Sequence, residues 1–174
     1  ARAAIPYLVP NTSIFLDAGT TVMSLVRQLP NQHYTIVTSG ANIAIELSQR
    51  SRSTVSCVGG QISSSTLSLS GPQAEAFLAT VNIDTAVLAA TGYSAGAGFT
   101  VGSYTENSLK RRVIQKADKV ILLIDRSKLG RTLPFTFASL SDIDVLICDA
   151  PLPEDFIQAA RAAGTEVLQV QPAK

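Results

Sequence analysis

Ser13-Ile-Phe-Leu-Asp17-Ala18-Gly19-Thr20-Thr21 is the stretch that decides the fold. A short apolar run of strand-forming residues ends on an acid and breaks at a glycine. It restarts with Val22, Leu25, Val26 and Leu29 at the i, i+3, i+4, i+7 spacing of a helix. The strand-turn-helix unit then recurs along the chain. Strand-like runs are expected at 13–17, 34–38, 54–58, 85–90, 119–125, 144–149 and 166–170. Helical spacing appears at Ala74, Phe77, Leu78 and Val81, at Leu109, Val113, Ile114 and Ala117, and at Phe156, Ala159, Ala160 and Ala163. Pro153 with Glu154 and Asp155 is a good helix start, and Gly164 a good stop. Such alternation predicts right-handed crossovers and a three-layer α/β domain, its mainly parallel sheet covered by helices on both faces. The unbroken run Val120-Ile-Leu-Leu-Ile124 suits a strand buried on both sides.

Composition agrees with a single domain. Apolar residues form 46% of the 174 and charged residues 16%, which excludes a disordered chain and favours a large core. Fourteen Lys and Arg against thirteen Asp and Glu leave a net charge of +1, so the total gives no strong attraction to nucleic acid or acidic lipid. The longest apolar runs are far too short to span a membrane, and the start lacks a signal-peptide pattern, so a cytoplasmic protein is expected. Cys57 and Cys148 lie in apolar runs with no Cys or His at metal-ligand spacing, and both read as reduced core residues. His33, the only histidine, sits in a polar connection and reads as a surface loop residue. Neither a metal nor a cofactor is expected. The chain opens on Ala1 rather than Met, which suggests a segment of a longer protein.

In an open parallel sheet ligands bind beyond the carboxyl ends of strands, so the polar strand ends carry the site expectations. After the first strand come Asp17, Gly19, Thr20 and Thr21, where glycine, free N–H groups and hydroxyls suit a phosphate. The second strand ends in Thr38, Ser39 and Gly40, with Asn42 just inside the next helix. Further glycine-rich turns follow at Gly59 and Gly60 and at Thr91, Gly92 and Tyr93 through Gly98, while Ser63 to Ser70 reads as a loop. Glu106 and Lys110 are one helical turn apart. They form either a weak surface pair or, if that end faces the crevice, an acceptor for sugar hydroxyls and a charge for phosphate at its rim. Beyond the central strand, Lys128 is either a solvated loop residue or a ligand for phosphate or carbonyl, a Schiff base included. Lys110, Arg111, Arg112 and Lys116 cluster on one helix and read as a solvated face.

The order of Leu-Asp-Ala-Gly-Thr-Thr (16–21), Ile-Val-Thr-Ser (36–39), Val-Gly-Gly (58–60), Ile-Asp-Thr-Ala-Val-Leu (83–88), Gly-Phe-Thr (98–100), Asp-Arg-Ser-Lys-Leu-Gly (125–130) and Asp-Ile-Asp-Val-Leu-Ile-Cys-Asp (142–149) resembles the sensor domain of DeoR-family transcription regulators over nearly the whole chain. The first and sixth segments are the most specific. The resemblance implies a fold similar to ribose-5-phosphate isomerase, glucosamine-6-phosphate deaminase and CoA transferases. It also implies a phosphorylated sugar or related effector, a homo-oligomer, and operator DNA bound through an N-terminal winged helix-turn-helix that this chain lacks. On that reading residues 1–12 are the remnant of a linker and 13–174 the sensor. The expected ligand residues are Asp17, Gly19, Thr20, Thr21, Thr38, Ser39, Gly40, Gly92, Glu106, Lys110 and Lys128. The family's Thr-Asn pair after the second strand stands here as Thr38 and Ser39.

A sugar-phosphate isomerase or deaminase on the same fold is the competing expectation. Moving a proton between sugar carbons needs a carboxylate base and a nearby acid or cation. The isomerase-like Asp-Gly appears here as Thr91 and Gly92, and the isomerase-like Arg-Glu-Lys as Lys110, Arg111 and Arg112, so the carboxylates are missing. Glu106 stands as a base from another turn. A third, plainer expectation is an oligomerisation module with a vestigial pocket.

Overall fold

A computed structural model describes residues 1–50 and 52–170. A 3-10 helix at Arg2–Tyr7 leads into β1 (Ser13–Leu16), α1 (Thr20–Val26), β2 (Thr35–Thr38), α2 (Ala41–Arg50) and β3 (Thr54–Cys57). A small hairpin of β4 (Gln61–Ile62) and β5 (Leu69–Ser70) precedes α3 (Pro72–Ala79) and β6 (Ile83–Ala89). Then come β7 (Gly92–Ser94), β8 (Gly98–Val101), α4 (Tyr104–Lys116), β9 (Ala117–Ile124), β10 (Phe135–Ala138), β11 (Val145–Cys148), α5 (Glu154–Ala162) and β12 (Glu166–Gln169).

The main sheet has seven strands in the order β12-β11-β9-β6-β1-β2-β3, every neighbouring pair parallel. They coincide with the seven runs expected from sequence. Alternation of side chains divides the core in two. Ala86 and Leu88 of β6 and Val120, Leu122 and Ile124 of β9 face the layer holding α3, α4 and α5. Val87, Ile121 and Leu123 face α1, α2 and the first 3-10 helix. Both faces of Ala86 to Leu88 and of Val120 to Ile124 are therefore dry, which is why these segments are continuous apolar runs, while Asp84, Asp118 and Lys119 near the strand starts are exposed.

Four details depart from the sequence reading. The stretch from Thr91 to Gly98 is not an open glycine loop, because β7 and β8 join β10 in a three-stranded antiparallel sheet over the α4 side. The Ser-rich loop is the tip of the β4–β5 hairpin. Cys57 is exposed while Cys148 is buried, because Cys57 is the last residue of the edge strand β3, which has a neighbour on one side only. On α5, Ala159 is exposed and the covered face runs through Phe156, Ile157 and Ala160 instead. His33 is exposed, as its loop position implied. Residues 1–12 pack onto the domain, with Ala4 and Leu8 buried against the α1 layer. No helix among the described residues is long and apolar enough to cross a membrane.

Candidate functional site

From β1 the chain moves outward through β2 to β3, then returns to the opposite side of β1 at β6 and proceeds outward through β9. The order reverses between β1 and β6, and at such a switch point the two crossovers diverge and leave a crevice beyond the carboxyl ends. A cleft of about 420 Å³ lies there, within the range of small-ligand sites.

Asp17 ends β1 underneath this cleft and organises it. One carboxylate oxygen accepts from the Ala18 amide at 2.9 Å and from the Ser39 hydroxyl at 3.2 Å. The other accepts from the Ala89 amide at 3.0 Å and from the Lys110 ammonium. One side chain thus ties together the ends of β1, β2 and β6 and the middle of α4. Lys110 also donates to the Ala89 carbonyl at 2.9 Å, stands 3.4 Å from the Glu106 carboxylate and lies 5.4 Å from the Phe137 ring centre.

Lys110 is only 2% exposed and Asp17 3%. The weak surface pair imagined for Glu106 and Lys110 is therefore corrected: Lys110 forms the floor of the cleft, not its rim, and its main partner is Asp17. Burial by itself lowers the Lys110 pKa, but the carboxylates of Asp17 and Glu106, by charge and by hydrogen bonding, outweigh it and the net shift is upward. Lys110 is a fixed cation, unsuited to act as an amine nucleophile.

Six of the expected site residues line the cleft: Gly19, Thr20 and Thr21 of the β1–α1 turn, Glu106 and Lys110 of α4, and Lys128 beyond β9. Gly19 holds φ +115°, a conformation that side chains resist, and so turns the chain into α1 beside the opening. Asp17, Thr38 and Ser39 are buried behind this lining. The Thr38 hydroxyl accepts from the Gly40 amide at 3.0 Å, and Gly40 bridges to Ser68 of the hairpin tip. These residues position the wall without facing the space. Gly92 lies apart in β7, where a methyl group would stand 2.6 Å from the Arg131 carbonyl oxygen, so close packing explains the glycine.

The Ser-rich loop was not expected at the site. Ser65, Thr66, Leu67 and Ser68 close one side from the hairpin tip. Asn42, expected just beyond the end of the second strand, also lines the cleft, and its buried Oδ1 has no hydrogen-bond partner among the described residues. Asp125 lines it as well, 3.8 Å from Lys128. The lining thus offers two cations, two carboxylates and many hydroxyls, a set suited to a compact polar metabolite bearing both hydroxyl and anionic groups. Among the described residues no group of three or more His, Cys, Asp or Glu is placed to hold a metal ion.

The family described as "DeoR C terminal sensor domain" matches residues 1–150. The HTH-type transcriptional regulator GlpR of Haloferax volcanii is 35% identical over 169 residues, covering 97% of this chain and 66% of that protein. The HTH-type transcriptional repressor GlcR of Bacillus subtilis is 30% identical over 167 residues, covering 96% and 64%. The chain thus spans about two thirds of the length of these relatives. Among solved structures, ribose 5-phosphate isomerase A from Methanocaldococcus jannaschii superposes with a TM-score of 0.53 at 16% identity, covering 76% of this chain and 52% of that one. A D-ribose-5-phosphate isomerase in complex with phospho-erythronic acid gives 0.50 at 14% identity, covering 74% and 50%. At such identities the likeness is one of fold.

Proposed function

Because this chain belongs to the family of DeoR C-terminal sensor domains, we propose that its switch-point cleft binds a phosphorylated sugar or related metabolite and that occupancy changes operator binding by the whole regulator. The observation that carries this reading is the pairing of two lysines with a hydroxyl-rich wall in one cleft. Lys128 and the Gly19–Thr21 turn suit the phosphate, while Glu106 and Asp125 accept from sugar hydroxyls. The buried charge of Lys110 holds the floor and the adjoining α4 in register.

An isomerase or deaminase is the second reading, favoured only by Glu106, a carboxylate on the cleft wall. Lys110 stands 3.4 Å from it and is itself tied to Asp17, and the neighbouring wall position is Thr91, not an acid that would complete a proton relay. This arrangement serves binding better than proton transfer, so the domain is read as a sensor and not as an enzyme.

Operator DNA is assigned to a helix-turn-helix outside this chain. Of the four basic residues of α4, three are engaged within the domain and Arg111 is exposed. Lys110 points into the floor, Lys116 donates to the Ala79 carbonyl and Arg112 lies 3.8 Å from Glu75. A cytoplasmic regulator that self-associates to match a two-fold operator completes the reading.

Calorimetric titration of sugar phosphates against the same sugars without phosphate tests it. The ester is expected to bind roughly tenfold or more tightly, since a charge-assisted contact is worth at least about 1.4 kcal/mol. Equal affinities would refute the phosphate assignment, and turnover of a sugar phosphate by the domain would favour the enzymatic reading.

A further inference from the structure

Leu67 holds φ +55°, in the left-handed region that side chains other than Gly, Asn and Asp avoid. Its surroundings fix it there. The Leu67 amide donates to the Ser63 carbonyl at 2.8 Å, and its carbonyl accepts from the Ala41 amide at 3.0 Å. Just beyond it in the chain, the Leu69 amide donates to the Ser39 carbonyl at 2.7 Å and the Ser70 hydroxyl donates to Thr105 at 3.0 Å. The hairpin is thus pinned to the β2–α2 turn and to the start of α4. A strained residue held from both sides inside a cleft points to a function for the side chain it presents.

That side chain is unlike its neighbours. Among the described residues Leu67 is the one apolar residue larger than alanine in the cleft lining, beside hydroxyls, charges, Gly19, the Asn42 amide and the methyl groups of Ala18, Ala89 and Ala90. It is 42% exposed, although the rest of the hairpin tip is polar. An exposed leucine at the side of a polar cleft gains by covering the C–H groups of a ligand and excluding water from the charged contacts below.

Resting on the function proposed above, we propose that Leu67 is a specificity-determining residue. Its side chain covers the carbon skeleton of the phosphorylated ligand, and the left-handed backbone is retained to hold it over the cleft. Among the described residues the lining has no aromatic ring to stack on a base, so the class it selects is an aliphatic polyol phosphate rather than a nucleotide.

Two variants separate side chain from backbone. Leu67→Ala removes the cover and keeps the strain, whereas Leu67→Gly removes both. Binding is measured by calorimetry with a pentose 5-phosphate, a hexose 6-phosphate and inorganic phosphate, and stability by thermal unfolding. Both variants are expected to bind the better sugar phosphate about tenfold more weakly, the loss for covering roughly two methylene groups, while inorganic phosphate binds as before. Leu67→Gly should melt about 2–4 °C above Leu67→Ala through release of strain. If the unaltered protein binds a sugar phosphate and both variants bind it within twofold, this inference falls and the proposed function stands. A loss in only one variant, or equal melting temperatures, also overturns it. If the unaltered protein binds no sugar phosphate more tightly than inorganic phosphate, both readings fall together.

Discussion

Replacing Lys110 by Met strands a carboxylate beneath the cleft, and the structure sets the scale of the damage. Among the described residues Asp17 keeps three donors, from Ala18, Ser39 and Ala89, but loses the only cation in contact with it. Breaking a buried pair on one side costs about 3–5 kcal/mol, and the three remaining donors place this case at about 3. At about 2–4 °C per kcal/mol for a domain of this size, the melting temperature should fall by roughly 6–12 °C. Urea unfolding followed by circular dichroism should show a lower midpoint with unchanged slope. The double variant Asp17→Asn with Lys110→Met should recover more than half of the loss, because no buried charge remains. A loss below about 1 kcal/mol, as for a surface pair, would refute the reasoning, as would a double variant no better than the single one. The pH dependence gives a second check. The folded pKa of Lys110 lies above its ordinary 10.5, so the pair's stabilisation is fully present below that pH and declines as pH rises through the higher folded value. The unaltered protein should therefore lose its advantage over Lys110→Met in strongly alkaline solution.

Gly92→Ala would bring a methyl group to 2.6 Å from both the Arg131 carbonyl oxygen and Leu133. It should destabilise by about 1–3 kcal/mol in chemical denaturation, and a neutral result would contradict the close packing at β7. Lys128→Gln, at a partly exposed position, should weaken sugar-phosphate binding about tenfold while leaving stability within about 0.5 kcal/mol. Unchanged calorimetric affinity would remove Lys128 from the phosphate contacts. A thiol reagent should label exposed Cys57 in the native protein and buried Cys148 only on unfolding, with burial raising both thiol pKa values. Fast native labelling of Cys148 would show that the β11 layer opens.

The sequence by itself determined the layers: a run such as Val120 to Ile124 can be satisfied only between two apolar faces, and the helical spacings that alternate with such runs supply them. Gly19, Thr20, Thr21, Glu106 and Lys128 were legible as cleft residues because strand ends and helix starts are local features. The role of Lys110 was not. Its inward position depends on Asp17, 93 residues away, and on which way α4 turns when it packs. The hairpin wall was equally hidden, since strands of two residues carry no periodicity and Ser63 to Ser68 reads as any polar loop. Exposure of Cys57 depended on β3 falling at the sheet edge, and the small sheet around Gly92 on antiparallel pairing with the distant β10. Local sequence sets which segments become strands and helices. The order in which strands meet, and so which polar ends converge on one cleft, is decided only when segments far apart in the chain bury their faces against one another.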